Sequence, residues 1–155
     1  MISAGDVKKA LIDVLKKIFG KKYKYYGIEV SEGYEKPSFF TQMIPIDTGN
    51  ETINIANSAY SFVITCFQEK IDEADALETF SKIREGYGLK VKIGNRYINV
   101  TDVDYDFVGE KRNILQVTVN VSFKDKIEKE ETAPIMREIG ITRKNGGLEK
   151  WECQE

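Results

Sequence analysis

Apolar and polar residues alternate strictly from Asn113 to Lys124. Leu115, Val117, Val119, Val121 and Phe123 point one way, and Gln116, Thr118, Asn120, Ser122 and Lys124 the other. A period of two over this length predicts a strand with one dry face and one wet face. Just upstream, Val103, Tyr105 and Phe107 alternate with Asp102, Asp104 and Asp106, which predicts a second strand of the same kind. The short, charged Gly109–Asn113 connection joins the two as a hairpin.

Helical spacing governs the N-terminal segment instead. Val7, Ala10, Leu11, Val14, Leu15 and Ile18 recur on one face of a helix predicted over Ser3–Phe19, with Ser3 as N-cap, Asp6 in the first turn and Gly20 as the stop. Strands follow at Tyr25–Val30 and Ser38–Ile46. The polar run Asp47-Thr48-Gly49-Asn50-Glu51 breaks the pattern, and a further strand spans Ser58–Gln68 with both faces fairly apolar, as befits a central position. Asp72 caps a second helix whose stripe reads Leu77, Phe80, Ile83 and Tyr87, with Gly86 or Gly88 ending it. Leu89–Ile93 and Arg96–Val100 flank Gly94-Asn95, a pair suited to a tight hairpin, so the chain closes on a meander of about four strands. The predicted class is α+β: two helices packed on a mostly antiparallel sheet of about six to seven strands, with a C-terminal extension. Residues 1–125 make up the α+β domain and 126–155 the extension. The alternation stops after Lys124, and the charged run Asp125–Thr132 leads to a short apolar patch containing Ile135 and Met136, and then to Trp151.

Composition narrows the chemistry. At 155 residues, the chain supports one core that buries roughly two thirds of its unfolded surface. Hydrophobic content of 41% against 31% charged residues describes an ordinary soluble domain, and no run reaches membrane-spanning length. The N-terminus enters its amphipathic helix with no signal-peptide core, which predicts synthesis in the cytoplasm. Cys66 sits among apolar strand residues and Cys153 near the end. The two make neither metal spacing nor a disulfide framework. Histidine is absent, which removes the commonest general base and metal ligand, and no phosphate-binding glycine motif occurs. No catalytic set, cofactor site or metal site is predicted.

Charge is spread unevenly. Residues 1–26 hold seven lysines against two acids, whereas 27–123 hold nine bases against fifteen acids. The lysines around Tyr23, Tyr25 and Tyr26 combine basic and aromatic residues as a nucleic-acid site does, although a solvated helix end and core aromatics explain them as well. Asp102, Asp104 and Asp106 resemble the start of a calcium loop, but the closing glycine and glutamate are missing. On a strand they lie in a row about 7 Å apart and do not converge on an ion. They are either the wet face of a half-buried strand or an acidic stripe that faces a channel or a basic partner.

One stretch goes beyond generic patterning. Glu29-Val30-Ser31-Glu32-Gly33-Tyr34-Glu35-Lys36-Pro37-Ser38-Phe39-Phe40-Thr41-Gln42-Met43-Ile44-Pro45 resembles the signature region of the phage tail terminator family of contractile-tail phages and phage-tail-like particles. The Asp6–Leu15 helix and the Asn95–Asp106 segment, with the alternating strand after it, are similar to that family's first helix and closing sheet. The resemblance covers about residues 1–130. It implies a structural virion protein that sits as a homo-hexameric ring on the head-proximal end of the tail tube. Such a ring stops tube and sheath polymerisation and offers a platform to the neck. The partners implied are further copies of the chain, the tail tube protein, the tail sheath protein and a neck or head–tail connector. DNA passes through without specific binding, and no membrane is involved.

A ring subunit needs arms or strand edges with which to meet its neighbours. The pieces available are the polar loop Asp47–Asn57, with Asp47, Thr48, Asn50, Glu51, Ile53 and Ile55, and the extension, with Ile135, Met136 and Trp151. Either is expected to order on assembly. The row Asp102, Asp104, Asp106, facing the bore, would repel DNA phosphates. Another head–tail joining protein of similar fold, or a small ligand- or nucleic-acid-binding domain, are the other readings of the same features.

Overall fold

The computed structural model describes residues 1–30, 32–128, 138–142 and 148–152. Helix α1 spans Ala4–Phe19. The Ser3 hydroxyl accepts the Asp6 N–H at 3.1 Å, and Gly20, at φ +63°, returns its N–H to the Lys16 carbonyl at 2.7 Å. These contacts satisfy backbone groups that a helix end leaves open. Val7, Leu11 and Leu15 are buried, one on each successive turn. Helix α2 spans Glu73–Tyr87, with Asp72 accepting from Ala74 N at 3.0 Å. Its buried stripe is Ala76, Thr79, Ile83 and Tyr87 rather than one led by Leu77 and Phe80: Leu77 is 37% exposed and Phe80 half-buried. Leu77 follows Ala76 by about 100° around the helix, enough to carry it off the packed face. The helices meet where the buried Tyr87 hydroxyl donates to the Leu11 carbonyl at 2.7 Å. Nearby, Ile18 lies so close to Gly86 that a β-carbon there would collide with it.

The strands are β1 (Lys24–Tyr26), β2 (Ser38–Asp47), β3 (Asn50–Thr52), β4 (Ile55–Phe67), β5 (Lys90–Ile93), β6 (Arg96–Val108) and β7 (Ile114–Lys126). They form one seven-stranded sheet in the order β1-β2-β4-β7-β6-β5, with β3 on β4. All described pairs in it are antiparallel except β1 with β2. A separate hairpin pairs β8 (Glu138–Thr142) with β9 (Leu148–Glu152). The α+β class and the central place of β4 hold. Both helices cover one face, and the core lies between them and Phe39, Phe62, Ile64, Leu115, Val117, Val119 and Val121.

Four boundaries differ from the sequence reading. First, Arg96–Val100 and Val103–Phe107 are a single strand, β6. A bulge between Val100 and Asp102 shifts the alternation and makes one strand look like two. Second, β1 stops at Tyr26 instead of running to Val30. Third, the Asp47–Asn57 run is not a loose loop, because it contains β3 and the start of β4. Fourth, the dry row of β7 extends past Lys124 to Asp125, which is 3% exposed. That carboxylate is tolerated because it accepts the Ile2 N–H at 2.7 Å and pairs with Arg96, whose other nitrogen donates to the Lys124 carbonyl at 2.7 Å.

Candidate assembly surfaces

Among the described residues the sheet face away from the helices is half-buried to exposed along β4, β7 and β6, and mostly polar. Asp102, Asp104 and Asp106 are exposed there and stand opposite Asn120, Thr118 and Gln116. A hydrogen-bonded rung crosses three strands: Ser61 Oγ donates to Asn120 Oδ1 at 2.5 Å, and Asn120 Nδ2 donates to Asp102 Oδ1 at 2.6 Å. Gln116 Nε2 donates to Thr65 Oγ1 at 3.3 Å. Asp106 accepts the Phe107 N–H at 2.8 Å. The three aspartates therefore form a row on an open face. Among the described residues no group of three or more acidic, cysteine or histidine side chains is arranged to hold a metal.

At the β1–β2 end the same face changes character. Tyr34 packs edge-on against Phe40, with ring centroids 5.0 Å apart, and also against Phe67 at 5.0 Å, while Tyr26 lies 5.2 Å from Phe40. On the helix side Tyr23 is buried and stacks on Phe39 at 4.4 Å. These tyrosines are packing residues. The rings of the lysine–tyrosine segment lie against protein, which favours the core reading over base stacking.

The second surface is the far end of the β2–β4 hairpin. Asp47 builds its corner by accepting the Gly49 N–H at 3.1 Å and Asn57 Nδ2 at 2.8 Å. Asn57 N–H donates to the Gly49 carbonyl at 2.8 Å, and Ile127 N–H to the Asn54 carbonyl at 2.8 Å. Glu51 pairs with Lys124 at 2.6 Å. Thr48 and Asn50 are exposed. On this pinned frame Ile53 is 70% exposed and Ile55 38%. Two residues absent from the sequence reading join them, Ile46 at 60% and Ile44 at 41%. Their signal was there to read, since Ile44 and Ile46 fall beyond the reach of the helices, on the face that carries polar Gln42. Four exposed isoleucines therefore lie along this end of the sheet, with Ile44, opposite Ser61, six residues up β4 from Ile55, and exposed apolar side chains of this kind make the end a candidate contact surface.

Of the extension, Ile135, Met136 and Cys153 lie outside the described residues. Trp151 is in β9, where its backbone pairs with Ile139. Cys66 is buried, and burial, with Asp75 adding to it, pushes its thiol up to about 12, so at neutral pH it is an unreactive core residue. Among the described residues no helix is long and apolar enough to cross a membrane.

The class that this geometry defines is an α+β domain with an open, acidic sheet face and exposed isoleucines at one sheet end. A chain from the virion of a native gene transfer agent particle shares the fold: it is 14% identical, and the alignment covers 79% of this chain and 96% of that one at a TM-score of 0.52. No curated protein sequence matches. The profile of the family described as phage tail terminator protein matches residues 6–133, and the chain belongs to that family. It is thus a structural protein of the phage tail that associates with other tail proteins.

Proposed function

We propose that copies of this chain close into a ring of six on the head-proximal end of a contractile tail tube. The ring ends tube and sheath polymerisation and carries the neck. The observation that carries this reading is the family match over residues 6–133, which takes in α1 from Asp6 onward, all of α2 and the whole seven-stranded sheet. The surfaces support it. A terminal ring needs a wall compatible with passing DNA and a separate patch that grips the tube. The open face with Asp102, Asp104 and Asp106 faces the bore and repels phosphate, and the patch of Ile44, Ile46, Ile53 and Ile55 meets the tube or sheath. The β8–β9 hairpin reaches a neighbouring copy or the sheath, because a two-stranded sheet on its own is marginal in water.

The test is electron microscopy of particles assembled without this chain. Tubes and sheaths of uncontrolled, often excessive length are the expected result. Tails of normal length that merely lack heads would move the protein to the neck, and unchanged particles would overturn the proposal.

A further inference from the structure

The two outer edges of the sheet are built differently. On one side β1 covers Ser38–Phe40 of β2, and beyond that β2 is blunted by Pro45 and by a bulge between Pro45 and Asp47. Prolines and bulges are devices that stop an edge from pairing. On the other side a bulge stands at the step itself, between Val100 and Asp102, and no proline or bulge interrupts Asp102–Val108. There β5 pairs only with Arg96–Asn99, and among the described residues nothing pairs the outer edge of β6 from Asp102 to Val108. The edge is therefore stepped: a four-residue strand, then a seven-residue notch.

The notch has a mixed wall. A groove of about 660 Å³ runs between it and α2, where Phe80, Leu89, Val103 and Tyr105 stand among Arg84, Asp102 and Asp104. Leu89 is 85% exposed and Tyr105 46%, although Tyr105 already touches Phe80 with ring centroids 4.4 Å apart. The outer side of β5 is open too, along a groove of about 690 Å³ against α1. The two halves of the step carry opposite charge on the open sheet face. Lys90 and Lys92 stand beside Asn99 and Tyr97, and among the described residues neither has a carboxylate within salt-bridge distance. The notch carries Asp102, Asp104 and Asp106.

We infer that this stepped edge binds the same edge of a second copy about a two-fold axis normal to the sheet. Under that operation each β5 enters the other copy's notch. At about 3.3 Å per residue, four residues fit inside seven. Each β5 then has a strand on both sides, antiparallel to its own β6 and parallel to the other. The axis keeps the open faces on one side, so Lys90 and Lys92 of each copy lie beside Asp104 and Asp106 of the other, and Leu89 and Tyr105 are covered. Charge and shape are both self-complementary, as an isologous contact requires. The two-fold contact uses the same edge of both copies at once, so association through it stops at two. The free protein is such a dimer, with the acidic row neutralised until assembly on a tail separates the copies. The contact involves this edge alone and does not depend on the ring.

The test is sedimentation of the full chain across a salt series. A dimer in low salt is expected, with its dissociation constant rising by about tenfold or more between 50 and 500 mM NaCl as the ion pairs are screened. Lys90→Glu with Lys92→Glu should be monomeric, and so should Asp104→Lys with Asp106→Lys. An equimolar mixture of the two variants should restore the dimer, since every reversed charge then meets its opposite, and that recovery also shows that both are folded. A wild-type chain that stays monomeric in low salt, a closed species larger than two, or variants that associate as wild type does would each overturn the inference. Failure here would leave tail length, the readout of termination, untouched.

Discussion

Strand β7 and the hairpin tip formed by β2, β3 and β4 are made of similar residues put to opposite use. In β7 the core-facing side chains of Leu115, Val117, Val119 and Val121 are at most 1% exposed, and both neighbours in the sheet pair along nearly the whole strand. At the tip, Ile46 and Ile53 are 60% and 70% exposed on a frame fixed by hydrogen bonds that Asn57 donates and that Asp47 and the Asn54 carbonyl accept. The first region spends its apolar side chains on folding. The second withholds them, and a rigid apolar surface kept in water is available for a partner at little ordering cost.

Four variants would break or sharpen that contrast. The largest effect on folding is expected at Phe62, fully buried in β4 opposite Val119: Phe62→Ala should cost about 3–5 kcal/mol in denaturant unfolding. Next is Asp125→Asn. The carboxylate is desolvated by burial, which raises its pKa, yet the hydrogen bonds from Arg96 and Ile2 N–H together with the nearby positive charges outweigh this and hold it below the ordinary 3.8. A depressed folded pKa means that the stabilisation is fully present above pH 4 and is lost as pH falls through the folded value. Because Arg96 is half-exposed, a loss of about 1–2 kcal/mol is expected at pH 7. The melting-temperature gap between wild type and variant should narrow as the pH is taken from 7 to 3. A gap that stays constant would assign Asp125 a purely packing role.

Ser3→Ala removes the N-cap of α1 and should cost about 1 kcal/mol in the same unfolding assay. At the bottom of the scale, Ile46→Asn with Ile53→Asn should change stability by no more than about 0.5 kcal/mol. The same double substitution should abolish incorporation of the chain into particles, scored by immunoblot of purified tails. Normal incorporation would show that the tip is not a contact surface, and a large stability loss would show that it is part of the fold.

Much of the fold was legible because periodicity records burial. Strand β7 and helix α1 could be read directly, since each presents one apolar face at its own period and carries recognisable ends. The failures have local causes. β3 is the tripeptide Asn50-Glu51-Thr52, fully exposed and held by its pairing with β4, so no hydrophobic signal accompanies it. Thr101 sits in the bulge that split β6 in the reading, and Asp125 looked like the start of a solvated run because its partners, Arg96 and Ile2, are distant in sequence. The acidic row was visible as a row, but its placement on an uncovered face is a tertiary fact. Ile44 and Ile46 belong to a strand in the sequence reading too, and their alternation with Gln42 is the signal for a face away from the core.

The clasp at Asp125 also has a practical consequence for handling the protein. By binding the Ile2 amide it holds the first residues of the chain against the last turns of β7, where the extension departs. A fluorophore or affinity tag attached at Met1 would therefore crowd the root of the extension and report on it. A label intended to leave both undisturbed belongs on the Gly109–Asn113 loop, at the opposite end of β7.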